Sequence, residues 1–362
     1  MAFNFKKVFS SLKKVSNEQP SKVVGIDFGS SSVKVVEVES TDGVLTLTTY
    51  GELQLGPYAE AGMGSAVKLP LQKRIEAIVD VMRETGITAK DGVFALQLAD
   101  SFVTIMSLAA KENEDIAPRV HVEARKYIPV PINDVALEWT EIEQAPNQKS
   151  LTREVLLAAI QNEALADTKS ILESISMTSR PSEIEIFSTL RAITKEQDTS
   201  LAIIDVGAST SKLYVSESGF LNRIHRVQMG GFEVTKGIAK ELGVTFEEAE
   251  NLKRNYSETA MQAPLIKKLT ASTFDRPFQE FKRVIGQHEL RTGNPISRIV
   301  LTGGSACFKE FVPYASYMFD KEVELTNPFT KVAYPAFMED TLKEIAPTFA
   351  VALGAALRPF EQ

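Results

Sequence analysis

The 362-residue chain contains one cysteine, Cys307, so an internal disulfide is excluded. Its three histidines, His121, His225 and His288, are scattered, and with a single thiol they provide no zinc-ligand spacing. Trp139 is the only tryptophan and reads as a packing residue, and Cys307, with no histidine near it in sequence, reads as a small buried residue. His121, between Arg119 and Arg125, reads as a surface residue. No apolar run reaches the ~18 residues that a membrane-spanning helix needs; TFAVALGAAL at 348–357 is among the longest. The N-terminus has lysines but no continuous apolar stretch and no small-residue cleavage site, which argues against a signal peptide. Positive charge is not in excess either, since 40 Lys and Arg face 47 Asp and Glu, so a broadly nucleic-acid-binding surface is not expected.

What remains is the composition of an ordinary globular protein, 44% apolar and 24% charged, long enough for two or three domains. The first nineteen residues carry Lys6, Lys7, Lys13 and Lys14, with Phe5, Phe9 and Leu12 at helical spacing. Such a segment can lie on an anionic membrane surface or fold onto the body. Ser16 to Ser21 reads as a linker.

From Lys22 the pattern turns to β structure. VVGIDFG (23–29), SSSVKVVEVES (30–40) and GVLTLTTYGELQL (43–55) predict three consecutive strands, with Asp42-Gly43 as a hairpin turn. Residues 56–70 read as a loop, 71–86 as an amphipathic helix ended by Gly86, and 93–109 as two strands. Further on, 118–128 predicts a helix stopping before Pro129, 135–143 and 154–160 strands, and 163–175 and 185–193 helices.

At residue 201 the chain begins again. GIDFGSSSVKVVEV (25–38) aligns without gaps on IIDVGASTSKLYVS (203–216), pairing Asp27 with Asp205, Gly29 with Gly207, Ser31 with Ser209 and Lys34 with Lys212. A repeat of this length points to a duplicated domain facing itself across a cleft. In each copy an apolar strand delivers an aspartate to a turn of glycine and small hydroxyl residues, which can cradle phosphate oxygens. An aspartate beside phosphate implies a cation between them, typically Mg²⁺ held through waters. A third glycine element, SRIVLTGGSACFKEF (297–311), runs from an apolar strand into Gly303 and Gly304, whose bare backbone can lie against a nucleoside. Gly230-Gly231 precedes a predicted helix, and Thr245 is a candidate N-cap for the FEEAENLKR helix that follows.

Two phosphate turns and an LTGG loop, in that order, resemble the actin, Hsp70 and sugar-kinase superfamily. EARKYIPVPINDVALEW (123–139), FEEAENLKR (246–254), IVLTGGSACFKEF (299–311), NPF (327–329) and APTFAVALGAALRPF (346–360) further resemble the PilM family of type IV pilus assembly proteins, itself similar to the cell-division protein FtsA. The resemblance runs from about residue 22 to the C-terminus. Ser305 stands where a third glycine is common, LADSF (98–102) replaces a proline-containing turn, and the Gly/Ala-rich 56–70 loop is unusual.

The resemblance implies an α/β, actin-like ATPase fold of duplicated ribonuclease-H-like domains around a nucleotide cleft. It divides the chain into a tail and linker (1–21), a first subdomain (22–95 and 179–198), an inserted small subdomain (96–178) and a second half (199–362) with its own inserted part at about 232–290. The cofactors implied are ATP and Mg²⁺. Asp27, Gly29, Ser30, Ser31 and Ser32, with Lys34, would form the first phosphate loop, and Asp205, Gly207, Ala208, Ser209 and Thr210 the second, with Asp27 and Asp205 near the ion. Gly230 and Gly231 would line the cleft, Glu250 and Lys253 flank the adenine or ribose, and Gly303, Gly304 and Ser305 close over the adenosine. Glu185 falls where relatives place the residue that positions an attacking water. Weak or absent hydrolysis is expected, in a cytoplasmic scaffold on the inner face of the membrane that binds the N-terminal cytoplasmic peptide of the membrane protein PilN. Alternative readings are an FtsA-like division protein, a type II secretion platform homologue and a small-molecule kinase.

Overall fold

In the computed structural model, residues 20–111, 114–142 and 152–361 are described. The basic amphipathic segment, and all of the linker before Pro20, lie outside them.

The chain enters a sheet at once. Strands β1 (Lys22–Phe28), β2 (Ser32–Thr41) and β3 (Val44–Gln54) form the expected antiparallel meander, with Asp42 and Gly43 at positive φ in the turn. After the loop, which contains one 3₁₀ turn (Gly56–Ala59), α1 (Leu71–Thr85) ends at Gly86 in the left-handed conformation. Strand β4 (Asp91–Leu96) then adds to β1 in parallel.

An excursion follows: β5 (Ser101–Ala109), α2 (Ala117–Ala124), β6 (Val135–Ile142) and β7 (Thr152–Gln161) build a separate antiparallel sheet in the order β5-β7-β6. Trp139 packs partly buried against its core, and His121 is exposed. The α2 helix ends four residues before the expected boundary. Lys126 and Tyr127 donate to carbonyls only three residues back, and Pro129 disfavours helical backbone at Ile128. Helix α3 (Asn162–Ser174), the two-residue strands β8 (Thr178–Ser179) and β9 (Glu183–Ile184), both on β4, and α4 (Glu185–Ile193) return the chain to the first sheet.

The second half repeats the topology. Strands β10 (Ser200–Val206), β11 (Ser211–Glu217) and β12 (Phe220–Val227) form the same meander. Helices α5 (Gly231–Leu242), α6 (Phe246–Arg254) and α7 (Ala263–Thr292) precede β13 (Arg298–Thr302), which joins β10 in parallel; α8 (Phe311–Phe319) precedes β14 (Val323–Leu325), which joins β13. The sheet orders β3-β2-β1-β4-β8 and β12-β11-β10-β13-β14 are the same motif twice.

Both faces of the first sheet are covered. Val24, Ile26, Val33 and Val35 face the core under α1, while Val36 and Val38 face the C-terminal segment. This explains why β1 and β2 read as near-continuous apolar runs. After α9 (Glu339–Ile345), the last helix, α10 (Ala350–Leu357, AVALGAAL), is buried along its whole length and packs on β1, β2, β4 and α4.

Two glycines permit that packing. A Cβ on Gly25 would collide with the Ala352 carbonyl, and one on Gly354 with the Ser188 carbonyl of α4. Arg191 of α4 donates to the Gly354 carbonyl and is neutralised by Glu183 and Glu361. Gly354→Ala is expected to lower the free energy of unfolding by about 2–4 kcal/mol, whereas Gly286→Ala, in an open position on α7, should raise it by about 0.5–1 kcal/mol; urea midpoints of the two variants check both signs.

Candidate functional site

The two hairpins that open the halves end in turns of matching construction. Gly29 N–H donates to the Ser32 carbonyl (3.0 Å), and Gly207 N–H to the Thr210 carbonyl (2.9 Å). On the strand before each turn the aspartate pairs in register with a lysine across the hairpin, Asp27 with Lys34 and Asp205 with Lys212. The turns face one another, and Ser209 Oγ donates to Ser30 Oγ at 3.0 Å.

Between them lies a cavity of about 550 Å³, within the usual range for small-molecule sites. Its walls include both turns complete, Gly29 to Ser32 and Gly207 to Thr210, with Asp27, Lys34, Asp205 and Glu185. Gly231, Glu250, Lys253, Gly303, Gly304 and Ser305 line it as well. Gly230 is the one candidate that does not line it; it caps α5 and sits against the Ala208 carbonyl, which accepts from Phe232 N–H while Gly207 accepts from Gly231 N–H. Gly230 thereby holds the second turn from behind.

Helix α6 carries a polar knot. Thr245 caps it in a reciprocal box with Glu248. Buried Glu250 accepts from Thr235 Oγ1 (2.6 Å) and Arg254 Nε (2.7 Å) and pairs with Lys253 Nζ at 2.6 Å. Burial pushes its pKa up, but Lys253 and these hydrogen bonds outweigh it and hold the carboxyl below its usual range. The third glycine element enters as β13 ends. Gly303 adopts φ +91°, and a Cβ there would lie 2.5 Å from Asp205 Oδ1; Ser305 Oγ donates to the Gly207 carbonyl.

Sequence reasoning missed three contributors. Lys212 donates to Glu185 Oε2 (2.7 Å) and Asp205 Oδ2 (3.1 Å), joining α4 to the second sheet; its pairing with Lys34 in the repeat was the available signal. The loop after β3 also reaches the cleft. Gly64 lies against Glu250 and donates to Gln54 Oε1, which accepts from Arg254 as well, so the cleft mouth is bridged between halves. Cys307 lines the wall, 3.4 Å from Thr348 Oγ1, with its thiol pushed up by burial.

Asp27 is the poorly neutralised group. Burial raises its pKa to about 6 against the pull of Lys34, whose Nζ is 3.9 Å away. The folded chain thus binds this proton more tightly than the unfolded one, whose aspartate titrates near 3.8. The aspartate's contribution to stability falls as pH rises from 4 to 6 and costs on the order of 1–3 kcal/mol at pH 7. Asp27→Asn is expected to raise the urea midpoint of the nucleotide-free protein at pH 7 and to flatten its pH dependence between 4 and 6. A variant less stable than the parent at pH 7 would contradict this.

Comparison with known proteins agrees with the doubled topology. The family model described as type IV pilus assembly protein PilM matches residues 25–360. The cell-division protein FtsA of Bacillus subtilis is 22% identical over 360 residues, covering 87% of this chain and 81% of that protein; FtsA of Enterococcus faecalis is 20% identical, covering 84% and 78%. Among solved structures, a PilM–PilN type IV pilus biogenesis complex superposes with TM-score 0.79 at 22% identity, covering 95% of this chain and all of that one. The ethanolamine utilization protein EutJ of Carboxydothermus hydrogenoformans gives 0.56 at 15%, covering 95% and 92%. The fold is the actin-like ATPase fold, and with the family match running from the first strand past the last helix, the chain belongs to the family of the type IV pilus assembly protein PilM.

Proposed function

We infer that the chain acts in type IV pilus assembly, as its membership of the PilM family supports. We propose that within it the protein is an ATP-binding scaffold of the inner-membrane platform, which holds nucleotide between its two turns and docks the N-terminal cytoplasmic peptide of a PilN-like membrane protein. The observation that carries the nucleotide reading is the pair of matching turns meeting at Ser30 and Ser209 across one cavity. A polyphosphate entering there takes over the Ser30–Ser209 hydrogen bond, and the turns supply hydroxyls from both sides. Gly303, Gly304 and Ser305 would lie against the adenosine, with Glu250 and Lys253 toward the ribose or base. Gly231 extends that wall, and Gly230 supports the second turn.

Among the described residues no cluster of three His, Cys, Asp or Glu side chains could hold a metal by itself. Asp27 nonetheless fits a water-bridged Mg²⁺, because it is buried and short of positive charge. Asp205 fits poorly, since Lys212 occupies Oδ2 and the Gly303 backbone walls Oδ1. Bound with nucleotide, the ion would supply charge neutralisation of the phosphates. Glu185 is the residue for positioning water, but Oε1 accepts from Leu98 N–H (2.7 Å) and Oε2 from Lys212, which favours holding ATP over turning it over.

The division into a first subdomain at 22–95 and 179–198, an insert at 96–178 and a second half at 199–362, with 232–290 inserted in turn, belongs to the same reading. The peptide would bind in a groove beside the inserted β5-β7-β6 sheet. No described helix is long and apolar enough to cross a membrane, so recruitment to the inner face would come through the PilN-like partner, with residues 1–19 as a further contact.

Calorimetric titration tests both parts. Mg-ATP is expected to bind with one-to-one stoichiometry, and Ser209→Asp, which sets a carboxylate between the turns, to weaken it at least thirtyfold with little change in the urea midpoint. An unaltered affinity would remove the site assignment. The ATP-loaded protein is expected to bind a peptide matching the N-terminus of its cognate PilN-like protein; no binding by protein shown to hold ATP would remove the partner assignment alone.

A further inference from the structure

Three carboxylates, Asp27, Glu185 and Asp205, line the floor of the cavity. Such a floor repels a polyphosphate unless cations are present. Two of the cationic side chains lining the cavity, Lys34 and Lys212, lie beside these carboxylates, and they differ in placement. Lys34 sits on its own hairpin, 3.9 Å from both Asp27 and Glu52, and donates to Ser32 Oγ. Lys212 is buried and spans the halves, with Glu185 at 2.7 Å on one side and Asp205 at 3.1 Å on the other.

Resting on the nucleotide reading above, we propose that Lys212 is a resident counter-ion of the nucleotide site: its ammonium offsets one of the two negative charges of Asp205 and Glu185, so that a nucleoside polyphosphate depends less on a divalent cation than it would beside the carboxylates alone. Three features support this assignment. Both oxygens of Glu185 already accept a hydrogen bond, one from Lys212 and one from Leu98 N–H, so its charge is partly compensated by the chain itself. Asp205 is closed off by Lys212 and by the Gly303 backbone, whose lack of a Cβ is what lets it approach Oδ1. Lys212 itself lines the cavity with the second turn, so it adds attraction for phosphate where Asp205 of β10 and Glu185 of α4 alone would repel it.

The test is ATP binding by calorimetry, once with excess Mg²⁺ and once with excess EDTA, on the full chain. The parent protein is expected to lose less than thirtyfold in affinity when Mg²⁺ is removed. For Lys212→Met the ratio of the two dissociation constants should rise at least tenfold over the parent, and Lys212→Arg should keep the parental ratio. Because Lys212→Met leaves two buried carboxylates side by side, the double variant Lys212→Met/Glu185→Gln repeats the comparison with one of them neutral, and the same rise is expected. A parental loss of thirtyfold or more in EDTA, with Mg-ATP binding intact, would overturn the proposal and leave the nucleotide reading standing. So would a ratio unchanged by removal of the ammonium. Absence of ATP binding under both conditions would remove the nucleotide reading and this proposal with it.

Discussion

Close backbone approach at the last helix sets the geometry of the whole molecule. Helix α10 meets β1 at Gly25 and α4 at Gly354, at separations that no side chain fits between. Since α4 shares one hydrophobic core with Leu201, Ile203 and Tyr214 of the second sheet, this small-residue contact helps set how far apart the two sheets stand. The distance between the sheets in turn fixes the distance between the two glycine turns, which hang from the ends of β1 and β10. Arg191, buried with Glu183, donates to the Gly354 carbonyl and adds a directional bond at a point where apolar packing alone would allow sliding.

Duplication gave the cleft its symmetry, and charge broke it. The two Asp–Lys hairpins share a register, yet Lys34 stays within the first half while Lys212 reaches Glu185 in the other. One consequence is electrostatic: Asp27 remains short of positive charge and Asp205 does not. Another is mechanical, because Lys212–Glu185 and Ser209–Ser30 link the halves at the depth of the cleft, and Gln54–Arg254 links them at its mouth. A ligand between the turns would therefore act on the contacts that hold the halves together.

Much of this was legible in the sequence because the signals were local. The repeat announced the duplicated hairpins, Gly86 the end of α1, and Thr245 the start of α6. What was hidden depended on contacts between distant segments. AVALGAAL reads as a generic apolar run, and nothing local says that Gly354 must meet Ser188. Helix α2 stops early because turns at Lys126 and Tyr127 compete with its apolar period. The 56–70 stretch has no period to read, yet it brings Gly64 to Glu250 across the cleft. Lys212 alternates in β11 as a solvent-facing lysine would, and only the partners on other elements show that it is buried between carboxylates.

The central claim is that nucleotide occupies the space between the two turns, and hydrogen–deuterium exchange of the full chain with and without Mg-ATP tests it most directly. Protection is expected at 27–34 and 205–212 together, and at 303–305, with the β5-β7-β6 sheet affected less. Unchanged exchange at both turns in a protein saturated with ATP would contradict the account.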